Sequence, residues 1–123
     1  MQVRAIARNI GIPPRKVRLV TEAVKGRRVN EALALLRFIP NAAARPVYKV
    51  VQSAAANAEN NYNLDADNLY IANIVADPAF MLKRIRARPH GRAGRILRRY
   101  SHITVIVTDD IADLPKSARR RRR

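Results

Sequence analysis

Residues 69–108 read LYIANIVADPAFMLKRIRARPHGRAGRILRRYSHITVIVT, in which two β-rich runs flank a long basic segment. The runs are LYIANIVA, 69–76, and HITVIVT, 102–108, and their branched and aromatic residues are typical of core strands. About 25 residues separate the runs, too many for an ordinary hairpin loop and uncommon for a structureless loop in a compact domain. The sequence therefore predicts a protruding β-hairpin, residues 79–101, with its tip near 89–94.

The segment between the two strands is uniformly basic. No acidic residue occurs between Asp77 and Asp109, and seven of the eight cations are arginine, whose planar fork pairs bidentately with phosphate. Charges of one sign repel, so a folded hairpin of this composition needs an external polyanion. The alternative is a solvated, partly disordered loop. The predicted phosphate-binding residues are Lys83, Arg84, Arg86, Arg88, Arg92, Arg95, Arg98 and Arg99.

The spacing within the basic segment adds a geometric prediction. Arg84, Arg86 and Arg88 recur at period two, which in a strand places them on one face about 6.6 Å apart. The tetrapeptide Arg88-Pro89-His90-Gly91 has proline second and glycine fourth, which indicates a type I turn at the tip.

Alternating polarity in residues 2–8, QVRAIAR, predicts a short strand near the N-terminus. One face of this strand carries Arg4, Ile6 and Arg8, and the other carries Val3, Ala5 and Ala7. Pro13 and Pro14 preset the first turn of a helix over 14–25, and Gly26 provides its C-terminal stop.

Two further helices follow. Asn30 is expected to cap the second helix, which Pro40 ends. Asn41 is expected to cap the third and longest helix, which reaches about Asn60. Pro46 conflicts with this start, because beyond the first turn a proline removes a backbone donor.

Composition favours a polyanionic partner. The 123 residues carry a net charge of +16, so nucleic acid is the leading partner class and anionic membrane the second. Aromatic residues make up only 5% of the chain and tryptophan is absent, which favours recognition of phosphates over stacking on bases. There is no cysteine, secretory signal or long apolar run, so we expect a cytoplasmic protein without disulfides or thiolate sites.

Basic residues also cluster outside the hairpin. Arg15, Lys16 and Arg18, together with Lys25, Arg27 and Arg28, are a candidate second phosphate-contacting surface at a helix N-terminus. An ordinary solvated helical face is the alternative for this cluster. Residues 114–123, which contain the run Arg119 to Arg123, are expected to form a disordered tail that adds sequence-independent attraction. A single domain, residues 1–113, is expected before this tail.

Catalytic chemistry finds little support in the sequence. His90 and His102 are far apart and lack cysteine companions, so neither a metal site nor a cofactor is expected. No phosphate-binding loop, nucleophile elbow or zinc-hydrolase motif occurs. Asp65 and Asp67 imitate a catalytic carboxylate pair, but a solvated loop explains them better. We expect no enzyme and no small-molecule substrate.

Three stretches of the chain resemble the bacterial form of the large-subunit ribosomal protein family numbered twenty-two. The most specific extends from Lys83 through Arg88 and Gly91-Arg92-Ala93 to Ser101-His102-Ile103-Thr104-Val105. Lys16 to Val20 and Ala54 to Asn60 are independent matches. The resemblance covers the chain from about Val3 to Asp109.

This resemblance implies an α+β fold, with three helices packed on a small three-stranded antiparallel sheet and a long extended β-hairpin. It also implies a structural role in the large ribosomal subunit, where the hairpin threads into ribosomal RNA and bridges RNA segments during early assembly. The implied partners are large-subunit ribosomal RNA and neighbouring ribosomal proteins, with no membrane.

Site residues follow from the resemblance position by position. The hairpin cations, His90 and Gly91 are expected to contact RNA, with Arg15, Lys16 and Arg18 as a second contact. The tip is expected to reach the wall of the peptide exit tunnel. At the tip, Pro89 stands where the family usually has a small residue and His90 where it often has a cationic one. Pro46 is a further departure, at a position where the family more often has a branched aliphatic residue. The expected tunnel residues are Arg88, Pro89, His90, Gly91, Arg92 and Ala93.

Two other functions remain open on the sequence alone. An architectural DNA-binding protein would use the same basic hairpin as a minor-groove arm. An enzyme with an unrecognised site would show a turnover that is lost on single substitution, for example at Asp65 or Asp67.

Overall fold

The computed structural model describes residues 1–110 together with Ala112, Leu114 and Lys116. The strands are β1 (Gln2–Ile10), β2 (Tyr70–Ala87) and β3 (Ala93–Thr108), and the helices are α1 (Pro14–Val24), α2 (Val29–Phe38) and α3 (Ala44–Tyr62). Short 3₁₀ turns occupy Ala66–Asn68 and Pro89–Gly91. The expected tail, residues 114–123, lies outside the described residues apart from Leu114 and Lys116, so its extent stays a prediction.

The three strands form one antiparallel sheet in the order β1-β3-β2. Strand β3 pairs with β1 from Thr108↔Gln2 and with β2 from Thr108↔Tyr70. Its pairing with β2 continues to Ala87↔Ala93, well beyond the end of β1. The α+β fold with three helices and a three-stranded antiparallel sheet is therefore confirmed.

The core lies between the helices and one face of this sheet. Apolar residues at helical spacing on α1 and α3, such as Val17 and Val51, pack against alternate residues of the strands, such as Val105. The small side chains of Ala54 and Ala58 are fully buried, which lets α3 lie close to its neighbours. The other face of the sheet is more open, with Val75 37% exposed.

Strand β1 follows the predicted alternation. Val3 and Ala5 are buried and Ala7 is half-buried, whereas the face that carries Arg4, Ile6 and Arg8 is exposed. The strand continues to Ile10, with a register irregularity after Ala7.

The predicted start of α2 is wrong. Asn30 lies inside the helix and donates from Nδ2 to the Asp67 carboxylate at 3.0 Å. The helix instead begins at Val29, two residues earlier than a cap at Asn30 implies, and the Val29 N–H donates to the Leu69 carbonyl at 3.0 Å. A hydrogen bond to the residue that precedes β2 thus replaces a side-chain cap, and a contact of this kind has no local sequence signal.

Helix α3 begins later than predicted. Asn41 does not cap it directly but forms the preceding turn, where its Oδ1 accepts from the Ala43 N–H at 3.0 Å. Because the helix starts at Ala44, Pro46 is its third residue. The first four N–H groups of a helix have no intrahelical partner, so this proline costs no hydrogen bond. The helix ends at Tyr62, followed by Asn63 in the left-handed conformation.

Candidate nucleic-acid interface

We define the distal hairpin as residues 79–99, the part of β2, β3 and their connecting turn that lies beyond the globular body. Each of its eight cations is exposed, and none forms an ion pair with any described residue. The one ion pair within residues 1–110 joins the N-terminal amine to Asp109 at 3.1 Å. The hairpin is therefore a surface of uncompensated positive charge.

The strand register keeps these charges apart. The pairs run from Met81↔Arg99 to Arg86↔Gly94, and each contains exactly one cation and one uncharged residue. Side chains directly opposite each other in an antiparallel pair lie about 4.5–5.5 Å apart, where like charges destabilise the sheet. The sequence thus permits a strongly basic ribbon to pair without direct repulsion across it. The other pairs are Leu82↔Arg98, Lys83↔Leu97, Arg84↔Ile96 and Ile85↔Arg95.

The same register divides the cations between the two faces of the ribbon. Lys83, Arg95 and Arg99 continue the side of the sheet on which the helices pack, because β3 alternates without interruption from Ile103. The opposite face carries Arg84, Arg86 and Arg98. The expected alignment of Arg84 with Arg86 agrees with this register, whereas Arg88 lies beyond the end of β2. Both faces can therefore meet phosphate.

The tip differs from the predicted type I turn, which is wrong at its third residue. A type I turn needs negative φ at that position, but His90 has φ 64° and Gly91 has φ 71°. The Arg88 N–H closes the turn by donating to the Arg92 carbonyl at 2.7 Å. Histidine is among the residues that adopt this left-handed conformation more often than most. All six expected tunnel residues, from Arg88 to Ala93, are exposed.

The base of the hairpin forms a groove with the start of α1. Its volume is about 560 Å³, and its walls combine Pro13, Pro14, Met81 and Leu97 with basic side chains. Three predicted site residues from distant parts of the sequence meet here: Arg15, Arg18 and Arg99.

The remaining members of the predicted helical cluster do not all join this groove. Lys16 is exposed on α1 but does not line the groove. Lys25, Arg27 and Arg28 follow the opposite end of α1, an 11-residue helix about 16 Å long. The candidate surface is therefore split in two, because residues close in sequence are separated by the length of the helix.

Arg18 also has a structural role. Its Nε and Nη2 donate to the Ala76 carbonyl at 3.3 and 3.1 Å, which ties α1 to β2. Part of its hydrogen-bonding capacity is therefore already used within the protein.

Sequence reasoning missed an aromatic pair at the base of the hairpin. The rings of Phe80 and Tyr100 stack with centroids 4.4 Å apart and planes inclined by 18°. These residues are 20 positions apart, and only the register of β2 with β3 brings them together.

The other residues considered for chemistry have structural roles. Asp65 accepts from the Asp67 N–H at 3.1 Å and Asp67 accepts from Asn30, so both carboxylates stabilise a turn. The Nδ1 atom of His102 accepts from the Asn9 N–H at 3.2 Å. Within the described part of the chain, no three His, Asp or Glu residues group as metal ligands would. None of its helices is both long and apolar enough to span a membrane.

Comparison with known proteins identifies the family. A family model described as ribosomal protein L22p/L17e matches residues 5–108. The large ribosomal subunit protein uL22 of Desulfitobacterium hafniense (strain Y51) is 51% identical over 108 residues, which cover 88% of this chain and 95% of that protein. Its counterpart in Thermoanaerobacter sp. (strain X514) is 50% identical over 109 residues, covering 89% and 98%.

A third relative is equally similar. The large ribosomal subunit protein uL22 of Dehalococcoides mccartyi (strain ATCC BAA-2100 / JCM 16839 / KCTC 5957 / BAV1) is 50% identical over 109 residues, covering 89% of this chain and all of that protein. The chain belongs to the ribosomal protein L22p/L17e family, and it is accordingly a structural constituent of the large ribosomal subunit and not an enzyme.

Proposed function

We propose that this protein binds large-subunit ribosomal RNA through the distal hairpin and holds separate RNA segments together during early assembly of the subunit. The single observation that carries the proposal is the charge pattern of the hairpin: eight exposed cations, free of ion pairs with described residues, of which six are divided between the two faces and two lie at the tip. A two-stranded ribbon is marginally stable alone in water. Contact with phosphates on both faces supplies the counter-charge that it lacks.

The groove at the base of the hairpin provides a second contact. Arg15 and Arg99 face it from α1 and β3, so one RNA segment can lie between the body and the hairpin. The contact residues we propose are the hairpin cations with His90 and Gly91, and Arg15, Lys16 and Arg18 on α1. RNA that follows both the groove and the ribbon would have its phosphate repulsion screened where the segments approach. Neighbouring large-subunit proteins are further proposed partners.

We assign the tip, residues 88–93, to the wall of the peptide exit tunnel. The exposure of the whole tip and its position at the far end of the ribbon support this assignment. The body, residues 1–113, would remain near the subunit surface and the basic tail, 114–123, would add sequence-independent attraction. In this arrangement the subunit works in the cytoplasm.

The RNA proposal is tested by replacing residues 83–97 with Asn-Gly, which joins Leu82 to Arg98 through a two-residue hairpin turn. This change removes six cations, so the slope of log affinity against log salt should become less steep by roughly 4 to 5. The affinity for a large-subunit RNA fragment should fall by orders of magnitude while the melting temperature of the body stays nearly unchanged. Filter binding at several salt concentrations measures the affinity and the salt slope, and thermal unfolding measures the melting temperature.

The matched control replaces Arg45 and Lys49, two exposed cations of α3, with glutamine. This variant should change the salt slope by at most about 2. Unchanged RNA affinity in the hairpin replacement would contradict the proposal. Preferential retention of the intact protein on duplex DNA would favour an architectural DNA-binding function instead.

The tunnel assignment is tested with a unique thiol, because the chain has no cysteine. Ala93→Cys, labelled with a short photo-crosslinker and assembled into subunits, should crosslink to a nascent peptide. The control Ala34→Cys lies on an exposed position of α2 and should not. Equal crosslinking from both positions, or none from Ala93→Cys, would argue against a tip at the tunnel wall.

A further inference from the structure

An irregularity in β2 places an aromatic side chain at the base of the hairpin. Between the pairs Pro78↔Ser101 and Met81↔Arg99, β2 advances by three residues while β3 advances by two. One residue of β2 is therefore extra, which is the definition of a β-bulge, and bulges re-aim side chains. Phe80 lies in this bulge and turns its ring onto Tyr100.

The two rings are not equivalent. Tyr100 is half-buried, and its Cε1 lies close to Gly11, where an added Cβ would be 3.6 Å away. Phe80 is 47% exposed although Tyr100 covers one side of its ring. The inner ring is thus supported by the body, while the outer ring presents apolar surface to solvent.

The surroundings of this exposed ring are cationic. Arg98 and Arg99 immediately precede Tyr100, and Tyr100 itself lines the groove that contains Arg15 and Arg18. No acidic residue occurs between Asp77 and Asp109. Phe80 itself does not line the groove but stacks on Tyr100, which does. A nucleotide whose phosphate lies in the groove therefore meets Tyr100 at the groove wall, with the exposed Phe80 ring next to it.

We propose that Phe80, supported by Tyr100, stacks on one unpaired nucleobase of the RNA that follows the groove. This inference rests on the proposed RNA-binding function and adds a base contact to a surface otherwise built for phosphates. Stacking tolerates any base, because each has a π-face, and it would hold the RNA where the hairpin leaves the body.

The first test uses Phe80→Trp, which introduces the only tryptophan of the chain. Stacking on a base should quench its fluorescence when a large-subunit RNA fragment is added. The matched control is Phe38→Trp, because Phe38 is the other phenylalanine of the chain and is 82% exposed at the end of α2. Its emission should stay unchanged on RNA binding.

The second test separates base stacking from a purely structural brace. Phe80→Leu should weaken RNA binding by about 5- to 150-fold, the range for loss of one stacked base, and leave the salt slope unchanged. A brace that merely orders the hairpin would instead lower the melting temperature and make the salt slope less steep, because arginine contacts would be lost with it. Phe38→Leu should bind as the wild type does.

The outcomes distinguish this inference from the proposal beneath it. Wild-type affinity of Phe80→Leu, together with an unquenched Phe80→Trp, would overturn the stacking inference and leave RNA binding by the hairpin intact. A less steep dependence of log affinity on log salt in Phe80→Leu would also overturn the stacking inference. It would show that Phe80 and Tyr100 brace the hairpin. RNA binding that survives replacement of residues 83–97 would remove the basis of both.

Discussion

The globular body and the distal hairpin share two strands but differ in how far other elements cover those strands. In the body, β2 and β3 are covered on one face by helices, and residues such as Ile103 are fully buried. In the hairpin the same strands continue without helical cover, and Ile85 is 79% exposed. One continuous strand thus belongs to the protein core along half its length and to an exposed basic ribbon along the other half.

Charge follows the same division. Residues 31–77 contain three basic and five acidic side chains, which is ordinary for a globular surface. Residues 79–99 contain eight basic and no acidic side chains. Burial of apolar side chains stabilises the body, whereas the positive charge of the hairpin has no counter-charge within the hairpin and attracts polyanions.

The largest effect is expected from one substitution made in both regions. Ile103→Ala removes a fully buried side chain and should lower the free energy of unfolding by about 2–5 kcal/mol. Ile85→Ala makes the same chemical change on the exposed ribbon and should alter it by less than about 0.5 kcal/mol. Urea unfolding of the free protein measures both. Similar losses would mean that the hairpin belongs to the body's cooperative unit.

A smaller effect is expected at the tip. His90→Val places a β-branched residue at φ 64° and should destabilise the turn by about 1–2 kcal/mol. His90→Gly relieves the backbone strain and serves as the control. Amide hydrogen exchange of the Arg88 N–H, which closes the turn, should be about 5- to 30-fold faster in the valine variant. Equal exchange in both variants would show that the left-handed conformation does not hold the tip.

The smallest effect tests the separation of charge across the ribbon. Ile96→Arg places a cation directly opposite Arg84 and should destabilise the paired strands by about 0.2–1 kcal/mol. Ile96→Gln, which adds a polar side chain without charge, is the control. Exchange of the amides in residues 82–86 should be faster in the arginine variant at low salt, and the difference should shrink as salt is added. A difference independent of salt would exclude charge repulsion as its cause.

The sequence was informative wherever the physics is local. Runs rich in branched and aromatic residues located β2 and β3, and Pro14 with Gly26 located α1. The excess of arginine between 81 and 100 identified the candidate RNA-binding surface. The cap residues Asn30 and Asn41 were misplaced, because a backbone hydrogen bond to Leu69 begins α2 and a turn at Asn41 precedes α3.

Composition and local patterning were sufficient to predict the individual helices, the strands and a basic segment between β2 and β3, since each depends on residues that are neighbours along the chain. The α+β architecture followed from the family resemblance. The strand order β1-β3-β2, the bulge before Met81, the alternation of cations across the ribbon and the stacking of Phe80 on Tyr100 were decided only by the tertiary structure. Each of these depends on the register between distant strands. A shift of one residue exchanges the faces of a strand, and long-range packing selects among such registers.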